Sequence, residues 1–322
     1  MKKYICFTNT STDCYINSVL QLLWNNEDLM NCIDEFADCI EGTIIPYPVE
    51  LDHKVAVGLQ ILHSIAVVRK RFKESDRIKN TVNLIKFRRL MQKEFWSGTG
   101  GGQQDAHEFM NNLIDRIQTG FDFLGKSIIQ EEYGAKTTGG ISGHCGHVST
   151  TKTNYDYYEI FLRPTDTIKN IQSLIKHEYY STTLLTGESA WSCEKCGTKQ
   201  DAVQVPARLV ESPKNLILCI RRFEYDQVGT KISTPIIVDP EIVIPEGWCS
   251  ITDEKKIKYQ LTGLIVHLGS SLVYGHYISI VKDDDKWLVC NDTILTEADT
   301  LDDALKCSGG DIYLLSYRKS DY

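Results

Sequence analysis

Cys14, His276 and Asn291 are the side-chain types that thiol-dependent acyl transfer needs: a nucleophile, an imidazole and a group to orient it. In such chemistry a thiolate attacks a carbonyl carbon, and the imidazole first pairs with the sulfur and then protonates the leaving amine. Cys14 lies in the stretch Asn9–Trp24, where Ile16, Val19, Leu20, Leu23 and Trp24 recur at the spacing of one helical face. Cys14, Asn17, Ser18 and Gln21 fall on the other face. Asp13 is expected to cap that helix through its carboxylate, which places Cys14 in the first turn, where unpaired N–H groups and the helix dipole favour a thiolate. The charge of Asp13 works the other way, because a neighbouring anion raises a thiol pKa. A free cysteine acting as a small buried hydrophobe is the competing reading.

Those residues need elements to hold them. His276 follows the glycine-containing loop Leu268–Gly275 and precedes an expected strand, Tyr277–Val281, while Asn291 and Asp292 follow the expected strand Lys286–Cys290. Asp283, Asp284 and Asp285 read as the hairpin turn between the two. Leu261–His267 and Ile312–Tyr317 are further expected strands. Upstream, residues 26–96 read as mainly helical, with a period through Leu29, Ile33, Phe36, Ala37 and Ile40, a break at Pro46 and Pro48, and a restart over Leu51–Val68. The basic run Arg69–Lys73 reads as a solvated helix end. Gly98 and Gly100–Gly102 then lead into an amphipathic helix marked by Ala106, Phe109, Met110, Leu113, Ile114 and Ile117, with Asp105, Glu108, Asn112 and Asp115 as a polar stripe. From about Phe121 the chain turns β-rich, in Tyr155–Phe161, Ala202–Val210, Leu216–Phe223 and Ile236–Val238.

Within that middle section, Cys193-Glu-Lys-Cys196-Gly197 is half of a tetrahedral zinc ribbon. The other half, Ser142-Gly-His-Cys145, lacks one thiol, so His144 or His147 would have to supply the fourth ligand. The alternatives are that the cysteines simply pack, or that Cys193 and Cys196 form a redox disulfide, for which no thioredoxin-like βαβ pattern is present.

Composition narrows the class. With 322 residues, 42% of them hydrophobic and 24% charged, the chain reads as a globular protein. A net charge of −8 argues against a nucleic-acid partner and favours a basic one. Eleven cysteines, an odd number without a secretory pattern ahead of them, suit reduced thiols and an intracellular, cytoplasmic or nuclear, setting. No apolar run is long enough to span a bilayer, and no membrane partner is expected.

The local wording of these pieces resembles the ubiquitin-specific protease family. Asp13-Cys-Tyr-Ile-Asn-Ser-Val-Leu-Gln-Leu-Leu23 is similar to its cysteine box, Gln103-Gln-Asp-Ala-His-Glu-Phe109 to its second block, and Tyr274-Gly-His-Tyr277 with Trp287 and Asn291-Asp292 to its histidine box. Leu218–Phe223 and Tyr313–Arg318 also have counterparts, so the likeness runs nearly the whole chain. It implies an α+β, papain-like cysteine protease fold in one catalytic domain, with a helical thumb near 1–125, β-rich fingers near 126–215 and a β-sheet palm near 216–322.

It further implies a thiol protease that cleaves the isopeptide or peptide bond after the C-terminal Gly-Gly of ubiquitin. Its partners would be ubiquitin and ubiquitinated proteins, it would act as a monomer, and catalysis would need no cofactor, with a structural zinc left open. Cys14 would be the nucleophile, His276 the acid–base, Asn291 its orienting group with Asp292 assisting, and Asn9 the oxyanion donor. Asp105 and Glu108 would hold the two arginines of the ubiquitin tail, with Gln103, Gly275 and Tyr277 lining its channel under the loop Leu268–Tyr274. Three positions depart from the family pattern: Ser11 stands where glycine is usual, Asp13 where threonine is usual and Ser142 where a zinc cysteine is usual. Ser11 and Asp13 keep open a catalytically impaired ubiquitin-binding pseudoprotease, and a protease for another ubiquitin-like modifier is the further alternative.

Overall fold

The computed structural model describes residues 4–10, 12–40, 51–96, 102–223, 231–246, 255–271 and 274–320. Met1–Lys3, Ser11, Pro46, Pro48, Gly98, Gly100, Gly101, Leu272 and Val273, all used in the sequence reading, lie outside the described residues.

In chain order, the first elements are β1 (Tyr4–Phe7), α1 (Cys14–Trp24), α2 (Glu27–Ile40), α3 (His53–Glu74), β2 (Lys79–Val82), α4 (Ile85–Phe95), α5 (Ala106–Phe123) and α6 (Ile128–Tyr133). The middle holds β3 (Ala135–Gly143), β4 (Val148–Tyr155), β5 (Glu159–Leu162), α7 (Ile171–Tyr180), β6 (Thr183–Leu185), β7 (Trp191–Ser192), β8 (Lys199–Gln200) and β9 (Ala202–Glu211). The last third holds β10 (Asn215–Ile220), β11 (Glu241–Glu246), β12 (Lys255–Leu268), β13 (His276–Asp283), β14 (Lys286–Asn291), β15 (Ile294–Ala298), α8 (Leu301–Ser308) and β16 (Asp311–Lys319).

Two compact units are built from these. The first takes Met1–Glu132, Arg222–Ser233 and Thr262–Ser316. Helix α1 packs against α5, α2, β13 and β14 and is buried from Cys14 through Leu23, while α2, α4 and α5 pack on α3. The expected polar face is therefore not solvated, because its polar groups find partners inside: Gln21 donates to the Ile5 carbonyl at 2.8 Å and Ser18 to that of Tyr15 at 3.1 Å. Helix α5 buries the six apolar positions its spacing marks out. It packs closely on α3, where a Cβ on Gly58 would come within 2.5 Å of the Arg116 carbonyl oxygen. The strands run β15, β14, β13, β12, β16 in spatial order, with antiparallel β12–β13, β13–β14 and β14–β15 pairs.

The described residues of 26–96 are mainly helical, as expected; the exception is β2, which pairs in parallel with β1 from Tyr4↔Lys79 to Phe7↔Val82. One expectation changes: Arg69–Lys73 is not merely a solvated helix end, since Arg69 donates to Asp34 at 3.0 Å and covers the Trp24 ring at 4.9 Å, and Lys73 meets the same carboxylate at 2.7 Å.

The second unit takes Tyr133–Arg221, Thr234–Leu261 and Tyr317–Tyr322. Its main sheet is antiparallel, in the order β4, β3, β9, β6. The short β7–β8 pair carries the cysteine knuckle at its turn. Strand β10 pairs in parallel with β5, and β11 pairs antiparallel with the first half of β12. Ile236–Val238 forms no strand: it makes a single bridge, Asn170↔Ile237, because Pro235 and Pro240 flank it and lack the donors a ladder needs.

Candidate active site

Helix α1 begins at Cys14 because the Asp13 carbonyl accepts the first intrahelical bond, from Asn17 N at 3.0 Å. The carboxylate of Asp13 does not cap the helix, contrary to expectation. It turns back instead, accepting from Thr10 N at 2.9 Å and Thr10 Oγ1 at 2.7 Å and pairing with Arg88 Nη1 at 3.2 Å. Asp13 N donates to Asn9 Oδ1 at 3.2 Å. Asn9, Thr10 and Asp13 are thus tied to one another by side-chain bonds, and Cys14 sits buried at the positive end of the helix.

His276 opens β13, and the next hairpin supplies its partner. Its Nε2 lies 2.7 Å from Asn291 Oδ1, and the ring is also hydrogen-bonded to Cys14. The hydrogen bond to Cys14 is the main cause that lifts the His276 pKa to about 9; burial opposes the rise, and Asn291 and the charges of Cys14 and Asp292 add to it. Asp292 stands 4.0 Å from Nε2, beyond hydrogen-bond range. It occupies the turn between β14 and β15 with a φ of 52°, a left-handed conformation that aspartate tolerates better than most residues.

The Asp292 carboxylate reaches across to the helix start. It accepts from Asn9 Nδ2 at 2.9 Å and from Asn17 Nδ2 at 2.7 Å, while its carbonyl accepts from Phe7 N at 3.3 Å. Two sets of hydrogen bonds result, Cys14–His276–Asn291 and Asn9–Asp292–Asn17, and the chain itself joins them where Asn291 precedes Asp292. Sequence reasoning missed two members, Asn17 and Arg88. Asn17 lies one helical turn after Cys14, a spacing that could have marked it. Arg88 sits on an amphipathic helix far along the chain and carries no such signal.

The second group of expected residues flanks His276. Gln103 grips the backbone of Gly275 from both sides, donating from Nε2 to the carbonyl at 2.8 Å and accepting from the N–H at 2.7 Å. Asp105 caps α5, its Oδ1 accepting from His107 N at 2.8 Å and Glu108 N at 3.0 Å. The same carboxylate accepts from the hydroxyls of Tyr313 and Tyr277. Tyr277 is buried, which drives its phenol far above the ordinary range. Glu108 is exposed on the first turn of α5.

Gly275 is required by His267. A Cβ at that position would sit 2.0 Å from His267 Nε2 and 2.7 Å from the Leu268 carbonyl oxygen. Burial, reinforced by Lys231, brings the His267 pKa down to about 4, so this second histidine is neutral near pH 7 and presents no charge to the site.

In the other unit, the sulfurs of Cys145, Cys193 and Cys196 lie within 4.8 Å of one another. Three thiols at this separation fit the three-sulfur part of a tetrahedral zinc site. The expected fourth ligand does not join them. His147 stacks on Trp191 with centroids 5.9 Å apart, and His144 is exposed and outside the group. The side facing the thiols is taken by Gln200, whose Nε2 lies 3.1 Å from Cys145 Sγ and 3.3 Å from Cys196 Sγ. Hydrogen bonds from Thr198 bring the Cys196 thiol down to about 7, while burial raises that of Cys193.

Comparison with known proteins gives the family and the fold. A family model described as ubiquitin carboxyl-terminal hydrolase matches residues 5–317. The chain is 26% identical over 328 residues to ubiquitin carboxyl-terminal hydrolase 12 of Salmo salar, covering 92% of this chain and 82% of that protein. It is 24% identical to ubiquitin carboxyl-terminal hydrolase 26 of Arabidopsis thaliana, covering 86% of this chain, and 24% identical to hydrolase 25 of the same plant, covering 97%. It spans only 24% and 47% of those two plant proteins. Among solved structures, the SAGA Ubp8/Sgf11/Sus1/Sgf73 DUB module bound to ubiquitin aldehyde superimposes with a TM-score of 0.75 at 20% identity, over 98% of this chain and 69% of that one. The same module bound to monoubiquitin gives 0.74 over the same coverage. These likenesses establish the fold.

Proposed function

The chain belongs to the ubiquitin carboxyl-terminal hydrolase family of deubiquitinating thiol proteases, with the papain-like α+β fold, and from that premise we propose that Cys14 is its nucleophile. The observation that carries this reading is the line Cys14–His276–Asn291, in which the imidazole takes up positive charge beside the sulfur. With Nε2 engaged by Asn291, Nδ1 is the nitrogen that serves Cys14.

The steps follow from that arrangement. The Cys14 thiolate attacks the carbonyl carbon of the last glycine of ubiquitin, and the carbonyl oxygen becomes an oxyanion. Asn9 is the side-chain donor for that oxyanion, a contribution of about 3 kcal/mol when well placed. Collapse of the intermediate breaks the C–N bond, and the proton of imidazolium His276 passes to the leaving amine. The neutral imidazole then takes a proton from water, whose oxygen attacks the thioester, and Cys14 leaves as thiolate. Asn291 orients His276 throughout, and Asp292 acts at longer range through the bonds that hold Asn9 and Asn17. No cofactor enters any step.

Ubiquitin and ubiquitinated proteins are the proposed partners. Exposed Glu108 is the better arginine partner for the ubiquitin tail, since Asp105 is already committed to the cap and two tyrosines. Gln103, Gly275 and Tyr277 shape the wall of the tail channel rather than offering free polar groups. Cys145, Cys193 and Cys196 are the residues that would hold a structural zinc, which would supply cross-linking and no chemistry. The thumb, fingers and palm division at 1–125, 126–215 and 216–322, a monomeric state and an intracellular setting complete the proposal. Among the described residues, no helix is long and apolar enough to cross a membrane.

The test is reaction with ubiquitin carrying a C-terminal thiol-reactive group, followed by mapping of the modified residue. An adduct on Cys14 is expected. Binding without an adduct would favour the pseudoprotease, and reaction only with another Gly-Gly-ended modifier would redirect the substrate.

A further inference from the structure

Asp13 is buried immediately before Cys14, where its charge opposes a thiolate and would itself be costly without a partner. Its partner comes from α4. Arg88 is equally buried, and its guanidinium has several partners: Nη1 lies 3.2 Å from Asp13 Oδ2 and 3.4 Å from Thr10 Oγ1, while Nη2 donates to the Thr8 carbonyl and reaches Asn17 Oδ1 at 3.5 Å. Asn17 in turn holds Asp292. One guanidinium therefore contacts Thr8, Thr10 and Asp13, which flank Asn9 and Cys14 in the chain, and Asn17 of α1, which bonds the residue after Asn291.

We propose that Arg88 is a positioning residue for the thiol reaction: it offsets the charge of Asp13 beside the nucleophile and ties Thr8, Thr10 and Asp13 to α1. This rests on the assignment of Cys14 as nucleophile and explains how an aspartate is accommodated next to it. Arg88 touches neither the sulfur's hydrogen-bond partner His276 nor the carbonyl that Cys14 would attack, so its action is through Asp13, Thr8 and Asn17. Among the described residues, Tyr15, His276 and Tyr277 interact with Cys14, and these in turn face Asp13 and Arg88 from the helix side, Asp292 from the strands and Asp105 at the start of α5. Removing one member of the Asp13–Arg88 pair leaves the other uncompensated. The two single variants must therefore move thiolate formation in opposite directions.

The experiment follows alkylation of Cys14 by iodoacetamide against pH in the full chain, with the adduct mapped by mass spectrometry. It requires no ubiquitin, so it separates this inference from the substrate assignment. Arg88→Met should raise the pH midpoint by about one unit and Asp13→Thr should lower it by about one unit, as expected for one nearby charge in a partly buried site. The double variant should return close to the parent, and Arg88→Lys, which keeps the charge, should shift the midpoint far less than Arg88→Met. Shifts of the same sign, no shift in either single variant, or a double variant that fails to return would overturn the proposal. If Arg88→Met does not fold, Asp13→Thr and the double variant carry the test, since neither leaves a buried carboxylate unpaired; failure of the double variant to fold would also overturn it. Absence of Cys14 alkylation at every pH would overturn the nucleophile assignment itself.

Discussion

Gly275→Ala adds one methyl group to the residue before His276, and the structure sets its consequence. The new Cβ would lie 2.0 Å from His267 Nε2, 2.6 Å from His267 Cε1 and 2.7 Å from the Leu268 carbonyl oxygen, against the 3.4 Å at which ordinary contact begins. His267 has little room to yield, being packed against Phe223 at 5.8 Å, Tyr277 at 4.8 Å and Tyr313 at 6.5 Å between ring centroids. The Leu268 carbonyl belongs to β12, which is paired with β13 at Leu268↔His276. Relief must therefore come from a backbone shift of about 1 Å at the start of β13, a displacement that costs roughly 100-fold in rate when it moves a catalytic group. Overpacking of this kind destabilises by about 1–3 kcal/mol. Initial rates on a ubiquitin C-terminal fluorogenic amide and thermal unfolding of the same samples would read both effects. His267→Ala in the Gly275→Ala background removes the nearest clash and leaves the carbonyl, so it should recover only part of the rate. Full kcat/KM with an unchanged Tm in Gly275→Ala would refute the reasoning.

Gln103→Ala deletes both bonds to the Gly275 backbone and should lower kcat with little change in KM, at a cost of roughly 2 kcal/mol for two hydrogen bonds; steady-state kinetics separates the two constants. Asp105→Ala should cost about 1 kcal/mol or more through the lost cap, read by urea unfolding. Glu108→Lys, at an exposed site, should leave stability within about 0.5 kcal/mol yet weaken ubiquitin binding by calorimetry. For pH, the His276 pKa is raised in the folded state from 6.5 to about 9, so its contribution to stability is full below about 6.5 and is lost as pH rises through about 9. Asn291→Ala removes one of the causes and should lower the upper limb of the pH–rate profile.

The sequence made the site's chemistry legible because its residue types are few and sit at recognisable element boundaries. Cys14 at a helix start, His276 at a strand start and Asn291 at a strand end all lie at the expected element ends. Helix α5 was legible as well, since its apolar period is uninterrupted from Ala106 to Ile117. What local reading cannot supply is the partner of a polar group. The Asp13 carboxylate satisfies the pattern of a helix cap, but it bonds Thr10 and pairs with Arg88 instead, and Arg88 comes from another helix. The family resemblance gave Asp105 and Gln103 roles toward a substrate, and nothing nearby in sequence reveals Tyr313, Tyr277 or Gly275 as their partners. Strand β2 was hidden for the same reason: Lys79–Val82 is polar and short, and pairing with β1 alone defines it. The fourth zinc ligand could not be read from sequence either: His147 stacks on Trp191, and the thiol group holds only Cys145, Cys193 and Cys196 among the described residues.

The meeting of sulfur and imidazole is tested most directly by an NMR titration of the His276 ring in the parent and in Cys14→Ala. The hydrogen bond to Cys14 is the largest cause of the raised value, so the midpoint should lie near 9 in the parent and fall toward 6.5 once the sulfur is removed. A midpoint that stays near 9 in Cys14→Ala would contradict the account.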